Sequence, residues 1–173
     1  DMIERWWAEA EANQVLPLDD RFGERFAENA ARVHGDRLHY EFWSGMGHLP
    51  TDVAPDLRSR SYRIVAEVEI PETGADGVLV AHGDATSGYS LYLDGGYLVH
   101  DLNIGGSHQV VRSDRAVVPG RHDLAFRMDR AEGVGTGTLE IDGVDVGSLT
   151  TPATFFTMLS FSGLDIGLDR SRP

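Results

Sequence analysis

Gly77–Asn103, GVLVAHGDATSGYSLYLDGGYLVHDLN, is the stretch on which the fold turns. It reads as three short strands in a row: Val78–His82, Tyr89–Leu93 and Tyr97–Leu102. In the second, Tyr92 shares a face with Ser90 and Asp94, opposite Leu91 and Leu93. The first link, Gly83–Gly88, is polar and glycine-rich. The second is Asp94-Gly95, a strong two-residue hairpin signal because both central positions must tolerate positive φ. Three strands in meander order leave an apolar face that a second sheet has to bury.

The flanks supply that sheet. Arg60–Ile70 alternates cleanly, with Tyr62, Ile64, Ala66, Val68 and Ile70 on one face and Arg63, Val65, Glu67 and Glu69 on the other. Pro71–Asp76 turns it into the meander. Upstream, Leu38–Trp43 alternates and reads as a first strand, followed by the loop Ser44–Asp56. Downstream come strands around His108–Arg112 and over His122–Arg130, the latter with Leu124, Phe126 and Met128 inward. Val117–Gly120 reads as a strand end and turn, and Ala131–Gly137 as a glycine-rich loop. Thr138–Asp142 turns through Asp142-Gly143 into Val144–Val146. Thr150–Thr154 reads as a polar loop, and Phe155–Phe161 and Leu164–Leu168 as the last strands. Short strands at regular spacing with turn signals between them predict an antiparallel β-sandwich.

Ahead of the strands, Asp1–Asn13 reads as a helix, with Asp1 as cap and Glu4 at capping-box spacing. Ile3, Trp6, Trp7 and Ala10 fall on one face at i, i+3, i+4 and i+7. Each Trp carries on the order of 200 Å² of surface, and so short a helix does not stand alone in water. The stripe is therefore expected to be covered, with self-association through it as one route. Val15–Asp20 reads as an extended exit. Arg21–Val33 reads as a short or irregular helix, ended by Gly35-Asp36.

The chain has 173 residues and a formal net charge of -13, which argues against nucleic acid or an anionic membrane as partners. It has no cysteine, so thiolate chemistry, disulfides and Cys-zinc sites are excluded. All 15 basic residues are arginines, a bias associated with GC-rich bacterial genomes. No apolar run reaches membrane-spanning length and no leader pattern precedes the helix. A soluble, cytoplasmic setting is the expectation, in a chain that is part of something longer.

The runs GVLVAHGD…GYSLYLDGGYLVHDLN and PGRHDLAFRMDR…GTLEIDGVDVG, with the closing LDIG, resemble the core hairpins of laminin-G and concanavalin-like jelly rolls. A closer resemblance spans nearly the whole chain. Trp6–Glu11 followed by Val15–Arg21 resembles the segment that closes the catalytic region of large bacterial arylsulfatases. VAPDLRSRSYRIVAEVEIP, GVLVAHGD, GYSLYLDGGYLVHDLN and GLDIGLDRSRP resemble, in order, stretches of the concanavalin-like domain that follows there. The resemblance implies a division at residue 36. Residues 1–36 would close an upstream sulfatase domain, and residues 37–173 would form a concanavalin-like jelly roll. It implies a non-catalytic C-terminal accessory domain, whose parent enzyme uses a formylglycine and calcium.

No residue here matches that family's catalytic motifs. The formylglycine setting C/S-x-P/A-S/T-R finds only Ser59-Arg60-Ser61-Tyr62-Arg63, which departs at the third and fourth positions and lies on a strand. Glu140–Asp145, EIDGVD, is close to the E-x-D-x-x-E strand of concanavalin-like glycoside hydrolases. That chemistry needs both carboxylates on one strand, about 5 Å apart, and Asp142-Gly143 reverses the chain between them. A free-standing glycosidase is thus the least favoured reading. Asp84, Asp94, Asp101 and Asn103 flank the meander and are the candidate calcium ligands, set against their ordinary role as solvated turn residues. Tyr92 and Ser90 are the candidate glycan contacts of a lectin-like alternative, which the acidic balance disfavours for sulfated ligands. The seven histidines show no metal-binding spacing, though His82 and His100 alternate with strand apolars.

Overall fold

The computed structural model describes residues 1–18, 21–151, 160 and 162–170. The chain divides into two compact units, Asp1–Asp36 and Arg37–Pro173.

In the first unit, helix α1 spans Met2–Ala12. The Asp1 side chain accepts from the Ile3 amide at 3.2 Å and the Glu4 side chain reaches back, closing a capping box. Ala10 is buried, whereas Ile3, Trp6 and Trp7 remain exposed; the two Trp rings meet edge to face at 4.7 Å. Helix α2 spans Phe22–His34 and is regular throughout. Gly35, at φ 54°, donates its N–H to the Ala31 carbonyl at 2.9 Å and ends it.

The second unit is a β-sandwich. Strands are β1 (Tyr62–Ile70), β2 (Gly77–Gly83), β3 (Ser87–Asp94), β4 (Tyr97–Ile104), β5 (Ser107–Ala116), β6 (Gly120–Ala131), β7 (Val134–Ile141), β8 (Val144–Thr151) and β9 (Leu164–Ile166). They form a four-stranded antiparallel sheet, β1-β6-β7-β8, and a five-stranded one, β5-β4-β3-β2-β9. The meander β2-β3-β4 is the centre of the larger sheet. Its inward residues Leu91, Leu98 and Leu102 meet Leu124, Phe126 and Leu139 of the smaller sheet in one core. His100 of β4 stacks flat on Phe126 of β6 at 3.5 Å, bridging the two layers. Gly147 of β8 brings the sheets together at one edge, because a Cβ there would lie 2.8 Å from the Arg112 carbonyl of β5.

Several expectations are corrected. Leu38–Trp43 is not a strand: it finds no strand partner among the described residues. Its alternation has another cause, since Tyr40 and Phe42 stack on one side and Phe42 packs on the core. Leu38, at the same parity as Tyr40 and Phe42, is nevertheless 89% exposed, and Trp43 on the other side is 71% exposed. The first hairpin turns on Gly95-Gly96, both at positive φ, rather than Asp94-Gly95, and Asp94 pairs with Tyr97. Val134–Gly137 belongs to β7, leaving Glu132-Gly133 as the turn. Gly137 is there to admit the Phe126 ring, which a Cβ would approach to 2.7 Å. Thr150 and Thr151 continue β8. The expected strand Phe155–Phe161 lies, except for Ser160, outside the described residues, as do Pro152–Thr154 of the expected loop. Among the described residues no helix is long and apolar enough to cross a membrane.

Candidate functional site

Three groups of polar side chains are set by strand alternation and by the loops that join the strands. The first is on the outer face of the four-stranded sheet. Phe126 and Leu139 point inward, so their neighbours Ala125 and Glu140, which pair with each other, point outward. Glu140 is nevertheless only 4% exposed. Arg63 of β1 donates from Nε and Nη2 to Oε2 at 3.2 and 2.7 Å, and Arg127 of β6 donates from Nη1 to Oε1 at 2.6 Å. Arg127 also donates to Asp129 at 2.8 Å. Two guanidinium groups on one carboxylate supply the charge-assisted bonds without which burying it would be costly. Glu140 and Asp145 face each other across the Asp142-Gly143 hairpin, on two strands. Beside it, Asp142 accepts from the Asp123 amide at 2.9 Å, and His122 Nδ1 lies 2.8 Å away. The His122 hydrogen bond, chiefly, holds the Asp142 carboxyl below its ordinary value.

The second group is on the outer face of the five-stranded sheet. Ser90 and Asp101 are direct partners there, with Tyr92 opposite Val99 and Asp94 opposite Tyr97. Asp94 accepts from Arg112 Nη1 at 2.7 Å, and the same guanidinium lies over the Tyr97 ring at 4.4 Å. His108 Nδ1 is 2.8 Å from Asp101 Oδ2. Partial burial, then the charges of Asp101 and Asp94, raises the Tyr92 hydroxyl above its usual range. Tyr92 is half-buried and Ser90 buried.

The third group is at the strand end near the β2-β3 turn. Asp84 Oδ1 accepts from the Thr86 amide at 2.8 Å and the Thr86 hydroxyl at 2.5 Å. Its Oδ2 accepts from the hydroxyls of Ser160 and Ser162. These donors, Ser160 first, hold the Asp84 carboxyl well below the usual carboxylate range. Asn103 Nδ2 donates to the Ala85 carbonyl at 3.0 Å. Behind them His82 is buried, with Nε2 3.4 Å from Thr51 Oγ1, and burial followed by the nearby His48 pushes it down to about 4. His48 Nδ1 lies 3.0 Å from the buried Asp165.

The four candidate calcium ligands thus separate. Asp84 and Asn103 share the turn end. Asp94 sits at the far end of β3, whose eight residues span about 24 Å. Asp84, Asp94 and Asp101 each already accept from, or lie against, a hydroxyl, guanidinium or imidazole donor. A calcium ion takes six to eight oxygen ligands converging at about 2.4 Å, and this donor set does not provide that convergence. Among the described residues no three His, Asp or Glu side chains are grouped to hold a metal ion.

No family model matches this chain, and no curated protein does either.

Two features escaped the sequence reading. The Arg63–Glu140–Arg127 bridge was legible in part: outward arginines on two strands and an outward glutamate on a third share a face once those strands pair. The His48–Asp165 contact joins residues 117 apart, and no local pattern marks it.

Proposed function

We propose that this chain is a non-catalytic accessory domain, the C-terminal part of an arylsulfatase whose formylglycine and calcium belong to an upstream catalytic domain. Glu140 carries the non-catalytic half of this reading. It is the residue nearest to the acid of concanavalin-like hydrolases, and both its oxygens are occupied by arginine. A general acid or nucleophile needs an oxygen directed at substrate, paired with a second carboxylate across a cleft. Glu140 is instead a structural anion that ties β1, β6 and β7 together. The arylsulfatase half rests on the resemblance of the sequence blocks named above. In that setting the sandwich packs on the catalytic domain or shapes the approach to it.

A lectin-like second reading is favoured by one observation: Tyr92 and the Tyr97–Arg112 pair lie on one face with Asp94 and Asp101, the mix of ring faces and charged groups that sugars bind. The deciding experiment has two arms. The purified chain is assayed with a chromogenic aryl sulfate, and turnover above a heat-killed control overturns the non-catalytic reading. The coding sequence upstream is then read for an in-frame sulfatase catalytic region, and its absence overturns the parentage. A glycan array with wild type and Tyr92→Ala tests the second reading: retention lost in the variant moves the assignment to a binding module.

A further inference from the structure

Edge strands expose a row of unpaired backbone donors and acceptors, and folded proteins usually blunt them. Among the described residues the two sheets end in four edge strands, and three of these are blunted. Strand β9 has three residues, and Leu49 bridges to its Leu164. Strand β5 has a register break against β4, and β8 has one against β7. Strand β1 is different. It pairs with β6 over nine unbroken positions, Tyr62↔Met128 to Ile70↔Gly120. It contains no glycine and no proline, and it directs no charge inward. None of the backbone hydrogen bonds outside the ladders between described residues reaches it. Its inward residues Tyr62, Ile64, Ala66 and Val68 are only half-buried, although they face the core.

The order of side chains along this edge is self-complementary. An antiparallel copy centred on Ala66 places Ala66 opposite Ala66 and Ile64 opposite Val68, both on the core side. On the outer side it places Arg63 opposite Glu69, twice by symmetry. On the core side apolar meets apolar; on the outer side arginine meets glutamate at the two ends while Val65 lies opposite Glu67 between them, and the alternation keeps each set on its own face.

We propose that β1 is a pairing edge for a second copy of this chain, giving a two-fold dimer in which two four-stranded sheets become one of eight. A two-fold contact uses the same patch on both subunits, and a strand that is complementary to itself about its centre meets that requirement. The pairing has to overcome repulsion between two chains of net charge -13, so added salt tightens the dimer.

The test uses the full chain. Sedimentation from micromolar to submillimolar concentration is expected to give a species of twice the 19.0 kDa monomer mass, more of it at high salt. Ala66→Lys sets a charge in the seam and Glu69→Arg sets arginine opposite Arg63. Each is expected to return the protein to monomer with unchanged far-UV circular dichroism. Position is read by crosslinking, since the chain has no other cysteine. Across the axis, Ala66→Cys places its Cα about 4.5–5.5 Å from its copy, within disulfide range. Glu69→Cys is about 20 Å from its copy. Under mild oxidation the first forms a covalent dimer and the second does not. A protein that stays monomeric throughout overturns the proposal. So does a dimer indifferent to both charge variants, or equal crosslinking at the two positions.

Discussion

Acid should unfold the sandwich through two histidines that its core holds neutral. His100 is fully buried, neither ring nitrogen has a hydrogen-bond partner among the described residues, and burial pushes it down to about 3. His82 is pushed down to about 4. Both lie below the ordinary value of 6.5, so the unfolded chain binds protons that the folded chain refuses. Stability is therefore full above about pH 6.5 and falls as pH drops towards 4, with each site able to remove about 1.4 kcal/mol per pH unit. At about pH 4 the two together remove on the order of 6 kcal/mol, comparable with the net stability of a whole domain. The assay is urea unfolding followed by far-UV circular dichroism at steps from about pH 7.5 to about pH 4. His100→Leu keeps an apolar volume against Phe126 and removes one titration, so the slope between about pH 6 and 4 should fall by about half. An unchanged slope in that variant refutes the argument that His100 is the proton-refusing group.

Four further outcomes follow from particular contacts. Gly137→Ala drives a methyl into the Phe126 ring and should cost about 1–3 kcal/mol, read as a lowered urea midpoint. Glu140→Gln deprives Arg63 and Arg127 of their shared anion and should lower the melting temperature by several degrees, while Asp145→Asn, at the 4.0 Å margin of Arg127, should barely move it. Millimolar calcium should leave the melting temperature unshifted, since the meander carboxylates do not converge; a rise abolished by Asp84→Ala would restore the calcium site. Removing residues 1–36 should leave strand circular dichroism and a cooperative transition, because the second unit holds its own core; loss of the transition shows that the helices belong to it.

Where one physical effect dominated, the fold was legible in the sequence. The alternation of Tyr62–Ile70 named both faces of β1 correctly, and the tight turns announced the hairpins, because period-two burial and positive φ are local demands. Leu38–Trp43 misled because alternation reports which side chains are covered, not whether the backbone is paired. The glycines of β7 misled in the opposite direction: Gly137 looks like loop, and its reason is the Phe126 ring of another strand. The polar sites were the least legible. Asp84 belongs with serines 76 and 78 residues away, and Glu140 with an arginine 77 residues before it. Such pairs exist only after the sheets have formed.

The close approach at Gly147 has a consequence for how the sandwich breathes. Where β8 passes β5 at Gly147 the two layers meet backbone to backbone with no room even for a methyl group, so that side behaves as the spine of a book. At β9 the margin is finished by irregular chain around Leu49, held through the paired Leu49 and Leu164 amides. Opening there breaks the Leu49–Leu164 pair and a ladder only three positions long, against eight or more paired positions in the β1-β6 and β6-β7 ladders. Hydrogen exchange should therefore run down a gradient across the molecule, fastest at Leu49 and Leu164 and slowest at Val111 and Val146, and a protease admitted by such an opening would enter from the loose margin.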